Sequence, residues 1–171
     1  AQPQPALVAA AQSGNPAAAL TLIQGGANVD ATSDDGTTAL EWAVHRDDMP
    51  LIDALLKAHA NVRATNSYGS SAMAEAAIFG DVGVIEKLLK AGADVESANP
   101  DGQTALMIVA RAGNMQAAQL LLRRGANVNA VETWRRQTAL MWAAAQSWPD
   151  MVRLLLKHGA NPDARSSVHG D

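Results

Sequence analysis

The sequence predicts an all-α solenoid of five helix-turn-helix units, each opened by a short β-turn-like tip. Three observations predict it. The phrase Gly26-Ala27-Asn28-Val29 recurs as His59-Ala60-Asn61-Val62, Gly92-Ala93-Asp94-Val95, Gly125-Ala126-Asn127-Val128 and Gly159-Ala160-Asn161-Pro162, at steps of 33, 33, 33 and 34 residues. A helix-opening phrase keeps the same period: Thr38-Ala39-Leu40, Ser71-Ala72-Met73, Thr104-Ala105-Leu106 and Thr138-Ala139-Leu140, with Pro5-Ala6-Leu7 as a degenerate first copy. A leucine pair follows each opening from the second unit onward, at Leu55-Leu56, Leu88-Leu89, Leu121-Leu122 and Leu155-Leu156. A unit this short cannot bury its apolar stripe alone, whereas stacked neighbours share one continuous core.

Residues 1–3 read as a tail. Residues 4–33 form the first unit, with helices expected near 4–13 and 15–25; Gln2, Gln4, Pro5 and Gln12 give it the polar character a terminal cap needs. Residues 34–66 form the second unit, with helices near 38–46 and 48–57; Pro50 falls in a first turn, where proline is tolerated. Residues 67–99 carry helices near 71–79 and 81–90, and residues 100–132 carry helices near 104–112 and 114–123. The fourth unit is the clearest copy: the turn signal Asp101-Gly102, the N-cap Thr104, a break at Gly113-Asn114 and a stop at Gly125. Residues 133–166 form the fifth unit, with helices near 138–146 and 148–157, and residues 167–171 read as a second tail. Small residues at Ala43, Val44, Ala76, Ala77, Ala143 and Ala144 let first helices approach closely, and the leucines supply bulk. Each buried leucine is worth roughly 1.5–3 kcal/mol relative to exposure.

Three places depart from the regular unit. His59 stands where the other copies have a closing glycine, so a left-handed backbone is expected at a residue with a Cβ. The loop Val131-Glu132-Thr133-Trp134-Arg135-Arg136-Gln137 has one extra residue, with Arg136 in the turn-glycine position; it reads either as a binding-face insertion or as a neutral one. No polar closing cap follows the fifth unit. The chain is therefore expected to continue beyond Asp171 or to be covered there, unless Met151 and Leu154 are tolerated at an edge.

The phrases TALMIVA, LLLRRGANVNA and DGQTAL resemble ankyrin repeats, and the period agrees with the family's about 33 residues. The resemblance covers about residues 4–166. It implies a protein-binding scaffold whose partner sits on a concave face made of turn tips and first helices. The chain departs from the family pattern after each opening residue. Ala39, Ala72, Ala105 and Ala139 replace its proline, leaving helix starts less fixed. Glu41, Ala74, Met107 and Met141 replace its histidine, so a tie between turns is expected to be missing. Alanine-rich bacterial members with a phrase like Trp134-Arg135-Arg136-Gln137-Thr138-Ala139-Leu140-Met141-Trp142 often carry export signals. That resemblance, with a start at Ala1-Gln2-Pro3 that fits signal-peptide cleavage, favours a periplasmic or secreted location. A shortened chain explains the start equally, with a cytoplasmic location as the alternative.

Composition narrows the function. No run of apolar residues is long enough for a transmembrane helix. The net charge is −4 and basic clusters are small, which disfavours nucleic acid and anionic membranes. The absence of cysteine excludes disulfides and thiolate metal sites. His45, His59, His158 and His169 form no metal-ligand pattern. His45-Arg46-Asp47-Asp48 has the residue order of a kinase catalytic loop, but no glycine-rich loop or Asp-Phe-Gly accompanies it, and it reads as solvated charge. The expectation is no catalytic residues, no metal, no cofactor and a monomer that binds another protein.

On the face that the family geometry implies, the candidate partner-binding residues are Tyr68, Ile78, Phe79, Asp101, Arg111, Trp134 and Arg135. Aromatic and arginine side chains most often dominate interface energy. The bland reading lays Tyr68 and Trp134 flat on neighbouring turns, with Phe79 filling a gap between first helices. Trp42 and Trp142 share one slot of their units and are expected to be core or half-core. Two other functions remain open: a spacer within a longer repeat protein, and a small-cation cage formed by Tyr68 and Trp134 with Asp101 beside them.

Overall fold

The computed structural model describes residues 4–167. It consists of ten helices in five antiparallel pairs: α1 Ala6–Ser13 with α2 Pro16–Gln24, α3 Ala39–His45 with α4 Met49–Lys57, α5 Ala72–Phe79 with α6 Val82–Lys90, α7 Ala105–Ala112 with α8 Met115–Arg123, and α9 Ala139–Ala145 with α10 Pro149–Lys157. The first helices make one continuous layer, α1 on α3 on α5 on α7 on α9. In the second layer α2 packs on α4, α6 on α8 and α8 on α10. The ion pair of Lys87 with Asp53, at 2.5 Å, joins α6 to α4. The tail expected at residues 1–3, with its Gln2, and His169 lie outside the described residues.

Side-chain capping defines α3, α5, α7 and α9, whereas α1 begins after Pro5 without it. Thr38, Ser71, Thr104 and Thr138 accept a hydrogen bond from the backbone N–H three residues on, at 3.1, 3.2, 3.4 and 3.3 Å. That satisfies an otherwise orphaned donor without the proline. The missing histidine tie is partly made good. Glu41 is buried and completes a capping box, its Oε2 accepting from the Thr38 N–H at 2.9 Å. The Ser71 and Ser97 hydroxyls meet at 2.8 Å and tie the cap of α5 to the segment leading from α6 to α7.

The core repeats with the period. Leu55, Leu88, Leu121 and Leu155 are all fully buried, and Leu56, Leu89 and Leu122 pack at the core's border. At the C-terminal edge the pattern thins: Ala144 and Leu156 are exposed, and among the described residues no further pair covers α9 and α10 there. Met151 is fully buried and Leu154 packs against the core, so the alternative of two apolar side chains tolerated at an open edge does not describe them. Trp148 is half-wedged into the preceding pair. Its indole N–H donates to the Arg111 carbonyl at 3.1 Å, and its ring lies so close to Gly113 that a Cβ there would meet it at 2.7 Å. Trp148 thus satisfies a carbonyl at the end of α7.

Between pairs the chain forms tips. Isolated antiparallel bridges join Thr32 to Thr38, Thr65 to Ser71 and Ala98 to Thr104. In the third and fourth tips one asparagine holds the turn: Asn66 Oδ1 accepts from the Tyr68 and Ser70 N–H groups, and Asn99 Oδ1 from those of Asp101 and Gln103. His59 has φ 61° and Arg136 φ 54°, the left-handed values expected from their glycine positions; Asp47 at 54° and Ser147 at 58° join them after α3 and α9.

Candidate functional site

The tips and the C-terminal ends of the first helices carry the exposed large apolar side chains Tyr68, Ile78, Phe79 and Trp134, which are 68, 54, 55 and 64% accessible. Neither Tyr68 nor Trp134 lies flat and covered on a neighbouring turn. The structure places the seven candidate residues in two groups, each beside one of the half-buried tryptophans Trp42 and Trp142, expected to be core or half-core.

The first group surrounds a cleft of about 270 Å³ lined by Asp35, Thr37, Glu41, Trp42, His45, Asn66, Tyr68 and Glu75. Tyr68 forms one wall and Trp42 another. His45 meets Trp42 edge-on, with ring centroids 5.7 Å apart, and meets Phe79 at the same separation. Its Nδ1 lies 3.3 Å from Glu75 Oε2. Tyr68 and Phe79 therefore belong to one assembly through His45, and Ile78 stands exposed beside Phe79 at the end of α5.

The segment His45–Asp48 is not merely solvated charge. Besides the contacts of His45, an Arg46 Nη group donates to the Gln12 carbonyl, and Asp48 caps α4 by accepting from the Leu51 N–H at 3.1 Å.

Three carboxylates line this cleft, and their environments differ. Burial pushes Glu41 above its ordinary value; the Thr38 hydrogen bonds oppose this, and the nearby charges of Glu75 and Asp35 add to it. Asp35 is held below its ordinary value, chiefly by the Ser33 hydroxyl and then by the Thr37 N–H. No lysine or arginine lines the cleft.

The second group surrounds a smaller hollow of about 160 Å³, lined by Asp101, Gln103, Glu132, Trp134, Arg135, Gln137 and Trp142. Arg111 joins it from α7, its guanidinium carbon 5.2 Å from the centre of the Trp142 ring. The loop that carries Trp134 and Arg135 is organised by Glu132, which occupies the place of Asn66 and Asn99. This tip has one extra residue, and glutamate has the reach and the second oxygen to span it. Glu132 Oε2 accepts from the Trp134 N–H at 2.6 Å, and Oε1 from those of Arg135 and Gln137 at 2.7 and 3.0 Å. Burial pushes this carboxyl upward, but the three backbone donors together, helped by Arg135, hold it below its ordinary value.

Tyr68 and Trp134 line different hollows, so nothing brings the two rings together in the cage considered as an alternative. Packed helices stand about 8–10 Å apart, and these tips are separated by two such steps. The indole nitrogens of Trp42 and Trp142 are buried without a hydrogen-bond partner. Among the described residues no group of three or more histidine or acidic side chains is placed to hold a metal ion.

A family model described as Ankyrin repeats (3 copies) matches residues 7–99 and again residues 76–166. A search of curated proteins finds no match to this chain.

Proposed function

The chain belongs to the ankyrin-repeat family, and from that premise we propose that it is a non-catalytic scaffold binding a protein partner on the concave face made by its tips and first helices. Ankyrin repeats generally mediate protein–protein interaction. The observation that carries the reading to particular residues is the exposure of Tyr68, Ile78, Phe79 and Trp134 along one set of tips and first-helix ends. Ile78 and Phe79 adjoin at the end of α5, and contiguous exposed apolar surface marks interaction sites. The partner contacts we assign are Tyr68, Ile78 and Phe79 around the first cleft, and Asp101, Arg111, Trp134 and Arg135 around the second hollow. Rigid aromatic walls lose little entropy when they are covered, which suits them as anchors. Among the described residues no helix is long and apolar enough to cross a membrane.

The test compares wild type with a Tyr68→Ala, Phe79→Ala, Trp134→Ala variant in affinity capture from extracts of the native host. Circular dichroism and the thermal transition establish first that the variant is folded. Recovery of the partner should fall about tenfold or more, since such residues as a class carry most of the binding energy. Undiminished recovery by the folded variant removes these residues as the binding site.

A further inference from the structure

Trp42 and Trp142 occupy one position of the repeat, four residues after the capping Thr38 and Thr138. The helix before each presents one residue towards that ring. For Trp142 it is Arg111, seven residues after Thr104; for Trp42 it is Gln12, seven residues after Pro5. The chain thus fills the space over Trp142 with its own guanidinium, 5.2 Å from the ring centre. Over Trp42 there is instead a hollow of about 310 Å³, lined by Gln4, Gln12, Ser33, Asp34, Asp35 and Trp42.

The charge differs in the same sense. At the tip beside Trp42 stand Asp34 and Asp35; the corresponding places beside Trp142 hold Trp134 and Arg135. Asp35 lines the hollow with its carboxylate held in place, Oδ1 accepting from the Ser33 hydroxyl and the Thr37 N–H. Asp34 is exposed. Gln12 is engaged by Gln4, whose Nε2 donates to its Oε1 at 3.0 Å. The neighbouring cation Arg46 is committed to the Gln12 carbonyl and does not line the hollow.

We propose that the hollow over Trp42 receives an arginine side chain from a protein partner, held as Arg111 is held over Trp142 but supplied by the other molecule. This rests on the tip-and-first-helix face being the protein-binding face, and it adds the chemistry of the group taken there. A guanidinium is planar: it stacks on the indole while its N–H edge meets the two carboxylates, which a lysine ammonium does less well. Hydrogen bonds from a guanidinium to a carboxylate are among the stronger ones available to an interface.

The experiment follows the four indole N–H resonances of 15N-labelled protein during titration with N-acetyl-arginine methylamide. The citrulline and lysine analogues serve as comparators. The Trp42 resonance should move saturably, while those of Trp134, Trp142 and Trp148 stay in place. The neutral citrulline analogue should bind about tenfold or more weakly, and lysine more weakly than arginine. Asp34→Asn should weaken arginine binding severalfold. Gln12→Arg, which supplies the guanidinium from within the chain, should abolish the response. Equal binding of citrulline or lysine, an unmoved Trp42 resonance, or an undiminished response in folded Gln12→Arg overturns the assignment. Because no partner protein is present, such a failure leaves the capture experiment with the Tyr68, Phe79 and Trp134 variant to decide the protein-binding face by itself.

Discussion

His59 closes the second helical pair in a left-handed conformation, with φ 61°. The glycines at the same position of the other pairs, Gly26, Gly92, Gly125 and Gly159, have φ between 80 and 96° and open space where a Cβ would go. Steric pressure from the surroundings is therefore not what selects glycine there; the backbone conformation is. Left-handed backbone costs an L-residue roughly 1–2 kcal/mol. Glycine gives back about 0.5–1 kcal/mol of this through the larger entropy of its unfolded chain. His59→Gly should then stabilise the protein by about 0.5–1 kcal/mol. For a chain of this length that raises Tm by about 1–4 °C. His59 is exposed and makes no hydrogen bond through its side chain among the described residues, so little is lost with the imidazole.

The assay is thermal unfolding followed by circular dichroism, with Ala58→Gly measured alongside. Ala58 has φ −82°, so glycine there brings the entropic cost without relieving strain, and Tm should fall. Opposite signs at adjacent positions are the diagnostic result. A lower Tm for His59→Gly, or a change matching that of Ala58→Gly, would refute the reasoning. Asp47, Arg136 and Ser147 share the left-handed geometry. Their glycine variants should stabilise in the same range and add, because the four sites are well separated.

Leu121→Ala removes a fully buried side chain from the middle of the stack and should cost about 2–5 kcal/mol in urea unfolding, whereas Leu156→Ala, at an edge where the side chain is 41% exposed, should cost much less. Two carboxylates should show opposite pH behaviour when Tm is followed from pH 7 to pH 3. Glu132 lies below its ordinary value of 4.5 when folded, so the unfolded chain takes up its proton first as pH falls. Its contribution is present above that value and lost in acid. Glu132→Gln should therefore destabilise at neutral pH, by about 1–3 kcal/mol for the disturbed hydrogen bonds, and the difference should narrow towards pH 3. Glu41 lies above its ordinary value of 4.5, so the folded chain takes up its proton first and stability falls as pH rises through that range. Glu41→Gln keeps an acceptor for the capping box and should match or exceed wild type at neutral pH, with the advantage shrinking below the ordinary value.

The period made the two layers and the buried leucines legible, because a residue's role along a solenoid is inherited from its place in the unit. Leu55, Leu88, Leu121 and Leu155 needed no tertiary information to be placed together. What joins the site residues runs across the stack instead. His45 reaches Glu75 and Phe79 in the next pair, and Arg111 reaches Trp142. Such contacts depend on which side chains happen to face each other at a separation of about one unit, and these positions vary from copy to copy. Hence Tyr68 and Trp134 could be singled out as tip aromatics two units apart, while the side chains that would line a hollow with each could not be read from the period. A signal for the fifth tip was nevertheless present. Asparagine at 66 and 99 gives way to glutamate at 132 in the one tip that is a residue longer. A longer loop needs an acceptor with more reach and more lone pairs, so substitution and insertion are two halves of one change. Trp134 and Arg135 are displayed by a loop held rigid through that carboxylate. The insertion leaves those two side chains on a hydrogen-bonded backbone, which suits the binding-face role proposed for them.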